Sequence, residues 1–377
     1  MRILFTGGGT GGHFYPIIAV AEAIKNLIKE KRLIEPELFY MAPTPYNESV
    51  LFEQGIEYRK VPAGKSRKYF SLLNFFDLWT TGLGIITALY KVYRLYPDVI
   101  FGKGGYASFP VLLAAKILRI PVVIHESDAV PGRVNKWAGK FAARIAVSWS
   151  EAAKYFPSDK VAHTGNPIRN DVRERKTEGA REFLQIDEGV PVVLVLGGSQ
   201  GAEVINEEVI EALPDLVKKF AIVHQTGKSN LSSVKTTADV ILHNSPHKER
   251  YKPYPYLNTI EMRMAAGAAD VVVSRAGSTI FEIAAWHLPS IIIPINESHG
   301  DHQRMNAFAY ARTGACEVIE EGNFTSHILS AEVERIISSA DLRSKMIAAT
   351  IAFDMPDASK KVAEEVLKIA LSHEIQN

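Results

Sequence analysis

The sequence predicts an α/β protein made of two doubly wound, Rossmann-like domains. Three observations lead there. The chain has 377 residues, more than one ordinary core accommodates. Each half opens on the same plan: a buried strand, a glycine turn and a helix. Short Val- and Ile-rich runs then alternate with helical patterns, as strands of parallel sheets do. The recurrence is of plan and not of sequence, so it is no internal repeat.

Bulk composition narrows the function classes. A hydrophobic content of 47 % with 23 % charged residues describes a folded chain, not a disordered one. A formal net charge of +1 gives no global field for nucleic acid. The one cysteine, Cys316, makes no intrachain disulfide and no metal cluster, which suits a reducing cytoplasm. Met1 runs straight into a strand, so no signal peptide is expected. The uncharged apolar run Leu78 to Tyr90 has 13 residues. A spanning helix needs about 20 apolar residues, so no membrane span is expected.

The first half opens with Ile3-Leu4-Phe5, then Gly7-Gly8-Gly9-Thr10-Gly11-Gly12-His13, then a helix from about Tyr15 to Glu30. A G-x-G-x-x-G between strand and helix raises a dinucleotide fold. That fingerprint wants a carboxylate at the end of the second strand. Here Leu38-Phe39-Tyr40-Met41 ends in Ala42-Pro43-Thr44, which argues for close approach of a large polar substrate instead of NAD. His13, at the helix start, is a candidate base or a plain helix-start residue. A third strand covers Ile56 to Val61. Next come Lys65, Arg67 and Lys68, followed by an aromatic stretch with Phe75, Phe76 and Trp79. A cationic patch beside an apolar, Trp-bearing face suits an interfacial anchor on anionic lipid, so Phe70 to Trp79 is read as membrane contact. Leu83 onward is read as core.

Asp98-Val99-Ile100-Phe101 is a strand ending at Gly104-Gly105-Tyr106, before a helix from Ala107 to Leu118. Pro121-Val122-Val123-Ile124 ends in His125-Glu126-Ser127-Asp128. Ligands of open α/β sheets sit at carboxyl ends of strands, so His13, Tyr106, His125, Glu126 and Asp128 are expected to converge. Asn135 follows in a short helix, and Ile145 to Val147 closes the sheet. The turn-rich Thr164-Gly165-Asn166-Pro167-Ile168-Arg169 places the domain boundary at 163/164.

The second half starts with the strand Pro191 to Leu196, the turn Gly197-Gly198-Ser199-Gln200-Gly201 and the helix Val204 to Leu213. Strands are expected at Ala221–His224, Val240–His243, Val271–Val273 and Ile291–Ile293. Ser274-Arg275-Ala276-Gly277-Ser278-Thr279 joins a strand to a helix from Ile280 to Trp286. Backbone N–H groups there favour an anion, with Ser278 and Thr279 adding hydroxyls. Glu282, in the first turn or so, offers a ribose diol a carboxylate; the plainer reading is that it complements the helix terminus. Gln303 and Asn306 offer amides to sugar hydroxyls, or are surface polarity. The tail from Ala358 to Leu371 is amphipathic and is expected to pack on the first domain.

In order, Gly8-Gly9-Thr10-Gly11-Gly12-His13, Gly104-Gly105-Tyr106, His125-Glu126, Asn135-Lys136, Gly165-Asn166-Pro167-Ile168-Arg169, Gly197-Gly198-Ser199-Gln200-Gly201-Ala202, Arg275-Ala276-Gly277 and Asp301-His302-Gln303 resemble the MurG family of peptidoglycan N-acetylglucosaminyltransferases over nearly the whole chain. The resemblance implies a glycosyltransferase B fold: domains 1–163 and 164–355 facing a cleft, with 356–377 returning to the first. It implies inverting transfer of GlcNAc from UDP-GlcNAc to the MurNAc 4-hydroxyl of lipid I, giving lipid II, with no metal and no cofactor. It puts Thr10, Gly11, Gly12, Arg169, Ser199, Glu282 and Gln303 on the donor. Asp128 stands where many members have a donor-contacting Asn. Gly104, Gly105, Tyr106 and Asn135 fall to the acceptor side. The first domain meets the lipid acceptor at the cytoplasmic face of the cell membrane, as a peripheral protein.

Inversion by single displacement needs one base and a stabilised leaving group. His13 ranks first as base because imidazole titrates near neutrality, and Glu126 second. Arg169, Ser199 and the Ser278 turn would hold the departing diphosphate. The competing readings are another two-domain UDP-sugar enzyme, namely a glycolipid glycosyltransferase or a UDP-GlcNAc 2-epimerase, and a non-catalytic nucleotide-sugar-binding protein.

Overall fold

A computed structural model describes residues 1–64, 73–198, 201–296 and 301–372, with backbone alone for 73–76. The chain divides into two compact units. One comprises Met1–Arg169 with Met355–Asn377, the other Asn170–Asp354. The division falls six residues beyond the expected boundary, after Arg169 instead of before Thr164.

The first unit holds β1 (Arg2–Thr6), α1 (Gly11–Lys31), β2 (Glu37–Ala42), β3 (Ile56–Lys60), α2 (Leu73–Leu95), β4 (Val99–Gly102), α3 (Phe109–Leu118), β5 (Val122–Glu126), α4 (Arg133–Ala138), β6 (Arg144–Val147) and β7 (Val161–His163). Its sheet is wholly parallel, in the order β3-β2-β1-β4-β5-β6-β7. β4 and β5 are buried along their whole length, as strands covered on both faces must be. Strand order reverses between β1 and β4.

α2 corrects one expectation. Gly84, Ala88, Val92 and Leu95 form its buried face, and α2 packs on α3. Gly84 lets α2 pass close to the chain after β3, since a Cβ there would lie 1.9 Å from the Pro62 carbonyl oxygen. Leu83 and Ile86, read as core, therefore point outward with Trp79, Tyr90 and Tyr93; Ile86 is 67 % exposed. The helical period explains it: positions 79, 83, 86, 90 and 93 share one face, and the packed face opens on Gly84 and Ala88, so the larger residues of that stretch stand on the other side. No described helix is long and apolar enough to cross a membrane.

The second unit has β8 (Val192–Leu196), α5 (Glu203–Lys219), β9 (Ala221–Gln225), α6 (Leu231–Ile241), β10 (Tyr251–Tyr254), β11 (Val271–Ser274), α7 (Thr279–Ala285), β12 (Ser290–Ile292), α8 (His302–Ala311) and β13 (Cys316–Val318). The sheet order β10-β9-β8-β11-β12-β13 repeats the first unit's plan and reverses between β8 and β11. The strand expected at Val240–His243 is instead the last residues of α6 and the turn after it; Val234 and Ala238 of α6 and Leu242 just beyond it face the core at helical spacing. The true third strand is β10, an edge strand carrying Lys252 and Pro253. Proline is tolerated there because an edge needs no complete ladder.

The chain then returns to the first unit as α9 (Ala358–Ser372), which packs on α1. Val362, Val366, Leu367 and Ala370 join the core of β1 and α1.

Candidate functional site

In the first unit, the loops after β1, β4 and β5 stand at the carboxyl ends of adjacent strands. The β1 loop turns through Gly8 and Gly9, whose φ angles of +132° and +92° favour glycine. Tyr40 donates its hydroxyl proton to the Gly7 carbonyl at 2.8 Å. The ring of Tyr106 packs against Gly9, and His13 lies against Gly105: a Cβ on Gly105 would sit 3.5 Å from His13 Cε1. The structure thus brings His13, Gly105 and Tyr106 together. Thr10 Oγ1 and His13 Nδ1 are 3.2 Å apart. In the tautomer where Nδ1–H donates to Thr10, Nε2 carries the lone pair a base requires.

His125 does not join them. It is fully buried, with Nε2 3.1 Å from the Gly165 carbonyl and 3.3 Å from Ser148 Oγ. Burial, and then Lys103 nearby, hold its pKa well below the ordinary value. It is a core histidine fastening the Gly165 turn.

Glu126 is buried too, with both carboxylate oxygens occupied. Asp128 N–H donates to Oε1, while Gly132 N–H and Asn135 Nδ2 donate to Oε2, each at 3.0 Å. Desolvation and then Asp128 raise its pKa, with hydrogen bonds and Lys103 opposing. As the second candidate base, Glu126 would first have to release these donors; in this geometry it is the fastener of the 126–135 loop. Asn135 lies beneath that loop, 2 % exposed, and also donates to the His125 carbonyl. Its amide comes within 2.8 Å of where a Cβ on Gly104 would sit, so Gly104 answers to Asn135 as well as to its φ of +84°. Asp128 is partly exposed at the loop surface. Arg169 stacks its guanidinium 4.2 Å above the Tyr15 ring, two residues along from His13.

In the second unit, the turns after β8 and β11 flank the reversal of strand order. Gly201, with φ +80°, passes so close to the Thr226 carbonyl oxygen that a Cβ would lie 2.3 Å from it. Gly277 is different: a Cβ there would meet nothing within 4 Å, and its φ is not positive. Packing does not demand that glycine, and the space beside it is open. The turn is held from behind. Arg275 pairs with Glu321 at 2.6 Å and donates to the Ile293 carbonyl, and buried Asn306 donates to the Ala276 carbonyl at 3.2 Å. Ser278, Thr279 and Glu282 remain partly exposed around the start of α7. Gln303 Oε1 accepts from Ile295 N–H at 3.2 Å.

Asn306, offered as a sugar reader or as surface polarity, is instead a buried brace. Ser199, Lys65, Arg67 and Lys68 lie outside the described residues, as do the side chains of Phe75 and Phe76. Trp79 is 68 % exposed on α2. Sequence reasoning passed over Lys103, which is buried at the end of β4. The available signal was a lone cation closing an otherwise apolar strand.

Comparisons with known proteins match both halves of the chain. Residues 3–147 match the Glycosyltransferase family 28 N-terminal domain, and residues 192–362 match the corresponding C-terminal domain. The chain is 39 % identical over 339 residues to UDP-N-acetylglucosamine–N-acetylmuramyl-(pentapeptide) pyrophosphoryl-undecaprenol N-acetylglucosamine transferase 2 of Bacillus cereus, covering 89 % of this chain and 91 % of that one. Among solved structures it is similar to MurG of Acinetobacter baumannii, with a TM-score of 0.72 at 24 % identity over 97 % of this chain and 99 % of that one. It is also similar to a putative UDP-N-acetylglucosamine 2-epimerase of Listeria monocytogenes, with a TM-score of 0.71 at 15 % identity over 100 % and 97 %. Structural likeness of this order speaks to the fold alone.

Proposed function

The chain belongs to the family of UDP-N-acetylglucosamine–N-acetylmuramyl-(pentapeptide) pyrophosphoryl-undecaprenol N-acetylglucosamine transferases, and from that membership we propose that it transfers GlcNAc from UDP-GlcNAc to lipid I, forming lipid II for peptidoglycan. The observation that carries the reading is sequence kinship. The transferase and epimerase structures resemble the fold almost equally, but the 39 % identity is to a transferase.

The chemistry is a single inverting displacement at the sugar carbon of the donor. The acceptor's 4-hydroxyl attacks, its proton passes to a base, and the C–O bond to UDP breaks with its electrons going to the diphosphate. His13 is the base, oriented through Nδ1 by Thr10. Gly104, Gly105 and Tyr106 shape the acceptor side, with Asn135 beneath them. The β11 turn receives the donor: the open space at Gly277 admits the diphosphate to backbone N–H groups, with Ser278 and Thr279 beside it and Glu282 for the ribose. Arg169, aimed by its stack on Tyr15, offers a fork-shaped cation to the diphosphate. Thr10, Gly11, Gly12, Asp128, Ser199 and Gln303 complete the donor contacts.

The protein sits at the cytoplasmic face of the membrane through α2. Trp79, Leu83, Ile86, Tyr90 and Tyr93 form its exposed apolar stripe, and Lys91 and Arg94 stand at its carboxyl end beside a surface cavity also lined by Arg2, Arg59 and Glu37, where Arg2 pairs with Glu37 and Arg59 with Glu57. Apolar side chains flanked by cations suit an anionic lipid surface.

The test incubates purified protein with labelled UDP-GlcNAc and a lipid I analogue in the presence of chelator. Disaccharide-lipid product is the expected result. UDP-N-acetylmannosamine in its place would establish the epimerase, and donor binding without turnover in the presence of anionic vesicles would leave a binding protein.

A further inference from the structure

Among the described residues of the first unit, Lys103 is a fully buried cation. It closes β4, the strand between β1 and β5, and only 1 % of it reaches solvent. Its backbone N–H continues the ladder to the Thr6 carbonyl at 2.9 Å. Its Cβ packs on the β1 loop so tightly that a Cβ on Gly7 would lie 2.9 Å away. Its ammonium hydrogen-bonds the Ser127 hydroxyl. One side chain therefore joins the roots of all three loops at the carboxyl ends of β1, β4 and β5.

We propose that Lys103 is a positioning residue for the transfer reaction: its ammonium, clamped on Ser127, sets the turn that presents Asp128 and holds the 126–135 loop in register with the His13 turn. The inference rests on the proposed placing of the sugars at these loops.

The rest of the turn is fixed from other directions. Trp149 Nε1–H donates to the Ser127 carbonyl at 2.8 Å, and the Ser148 N–H to the Glu126 carbonyl at 2.9 Å. The Ser127 side chain is held by Lys103. Electrostatics gives the clamp a second effect. From β5 and its loop, Lys103 faces the carboxylates of Glu126 and Asp128 and the imidazole of His125. From the β1 side it faces the loop leading to His13. The Lys103 ammonium supplies a counter-charge beside Glu126, whose carboxylate burial otherwise disfavours in its ionised form. Burial pushes the ammonium down to about 8, against the upward pull of Glu126 and Asp128. Below that pH the clamp is charged. Above it the donor becomes a neutral amine and the two carboxylates lose their counter-charge.

The experiment compares wild type, Lys103→Met, Lys103→Arg and Ser127→Ala in the lipid II assay from pH 6.5 to 9.5, with kcat and KM separated. The wild-type kcat/KM is expected to fall on an alkaline limb near pH 8. Lys103→Met, which keeps the stem but loses the charge, is expected to lower kcat/KM at pH 7.5 by about tenfold or more and to abolish that limb. Ser127→Ala removes only the acceptor hydroxyl and keeps the fold. It is expected to lose activity at neutral pH, with the limb displaced as the freed ammonium titrates in a changed setting. Lys103→Arg retains the charge, and its limb moves beyond the range. A Lys103→Met protein with the wild-type limb, or a Ser127→Ala protein within twofold of wild type with its limb in place, overturns the inference even if Lys103→Met fails to fold. Absence of product from wild type itself would instead overturn the reading of function on which the inference stands.

Discussion

In the proposed reaction His13 relies on Thr10 for its orientation. An imidazole at the start of a helix is free to rotate unless a neighbour holds it, and the 3.2 Å contact between Thr10 Oγ1 and Nδ1 orients the ring; where Nδ1–H is the donor, Nε2 keeps the lone pair. His13→Ala is expected to lower kcat by about 10²- to 10⁴-fold with little change in donor KM, the signature of a lost base; equal effects on both would assign the residue to binding. Gly277 tests the donor turn more cleanly. A methyl added there meets nothing, so Gly277→Ala should leave the melting temperature unchanged. If the diphosphate occupies that space, donor KM should still rise about tenfold, a penalty of about 1.4 kcal/mol. Unchanged KM would remove the turn from the donor site. At this scale the sequence could nominate residues but not aim them. The motif containing His125 and Glu126 was plain, but whether a strand-end side chain faces ligand or core depends on register and on the Gly165 turn 40 residues later. The same limit hid Lys103, whose partners come from two other loops.

For whole elements, legibility followed burial. β4, β5, β8 and β11 were readable because strands covered on both faces are unbroken apolar runs. β10 was not, because an edge strand with Lys252 and Pro253 has no such run. The Val240-Ile241-Leu242 stretch looked like its replacement although its buried positions follow a helical period. α2 shows the converse: its aromatic stripe is plain in the sequence, but its packed side opens on Gly84 and Ala88, so the larger residues beside them draw the inward reading. That stripe supports a prediction of its own. Burying one large apolar side chain contributes about 1.5–3 kcal/mol, so Trp79→Ser combined with Ile86→Ser should reduce partition onto anionic vesicles by at least about tenfold while leaving the melting temperature intact. Unaltered sedimentation with vesicles would take α2 out of the membrane contact.

Across the whole molecule, the recurring plan of strand, glycine turn and helix gave the fold class, and the two sheets share one strand order about their reversal points. The return of the chain in α9 makes the first unit depend on residues more than 180 positions beyond Arg169. Leu367 is buried in its core, so Leu367→Ala should cost about 2–5 kcal/mol, read as a lowered denaturant midpoint for that unit. A midpoint unmoved from wild type would mean that α9 contributes little to it. Pro253 has a different kind of consequence. β10 lies at the rim of its sheet, and an uninterrupted rim invites another chain to add a strand. A residue with no N–H to offer breaks that template. The kink in the pattern that hid β10 from the sequence is thus also a guard against the protein polymerising with itself, and concentrated solutions of a Pro253→Val variant would be the place to see it fail.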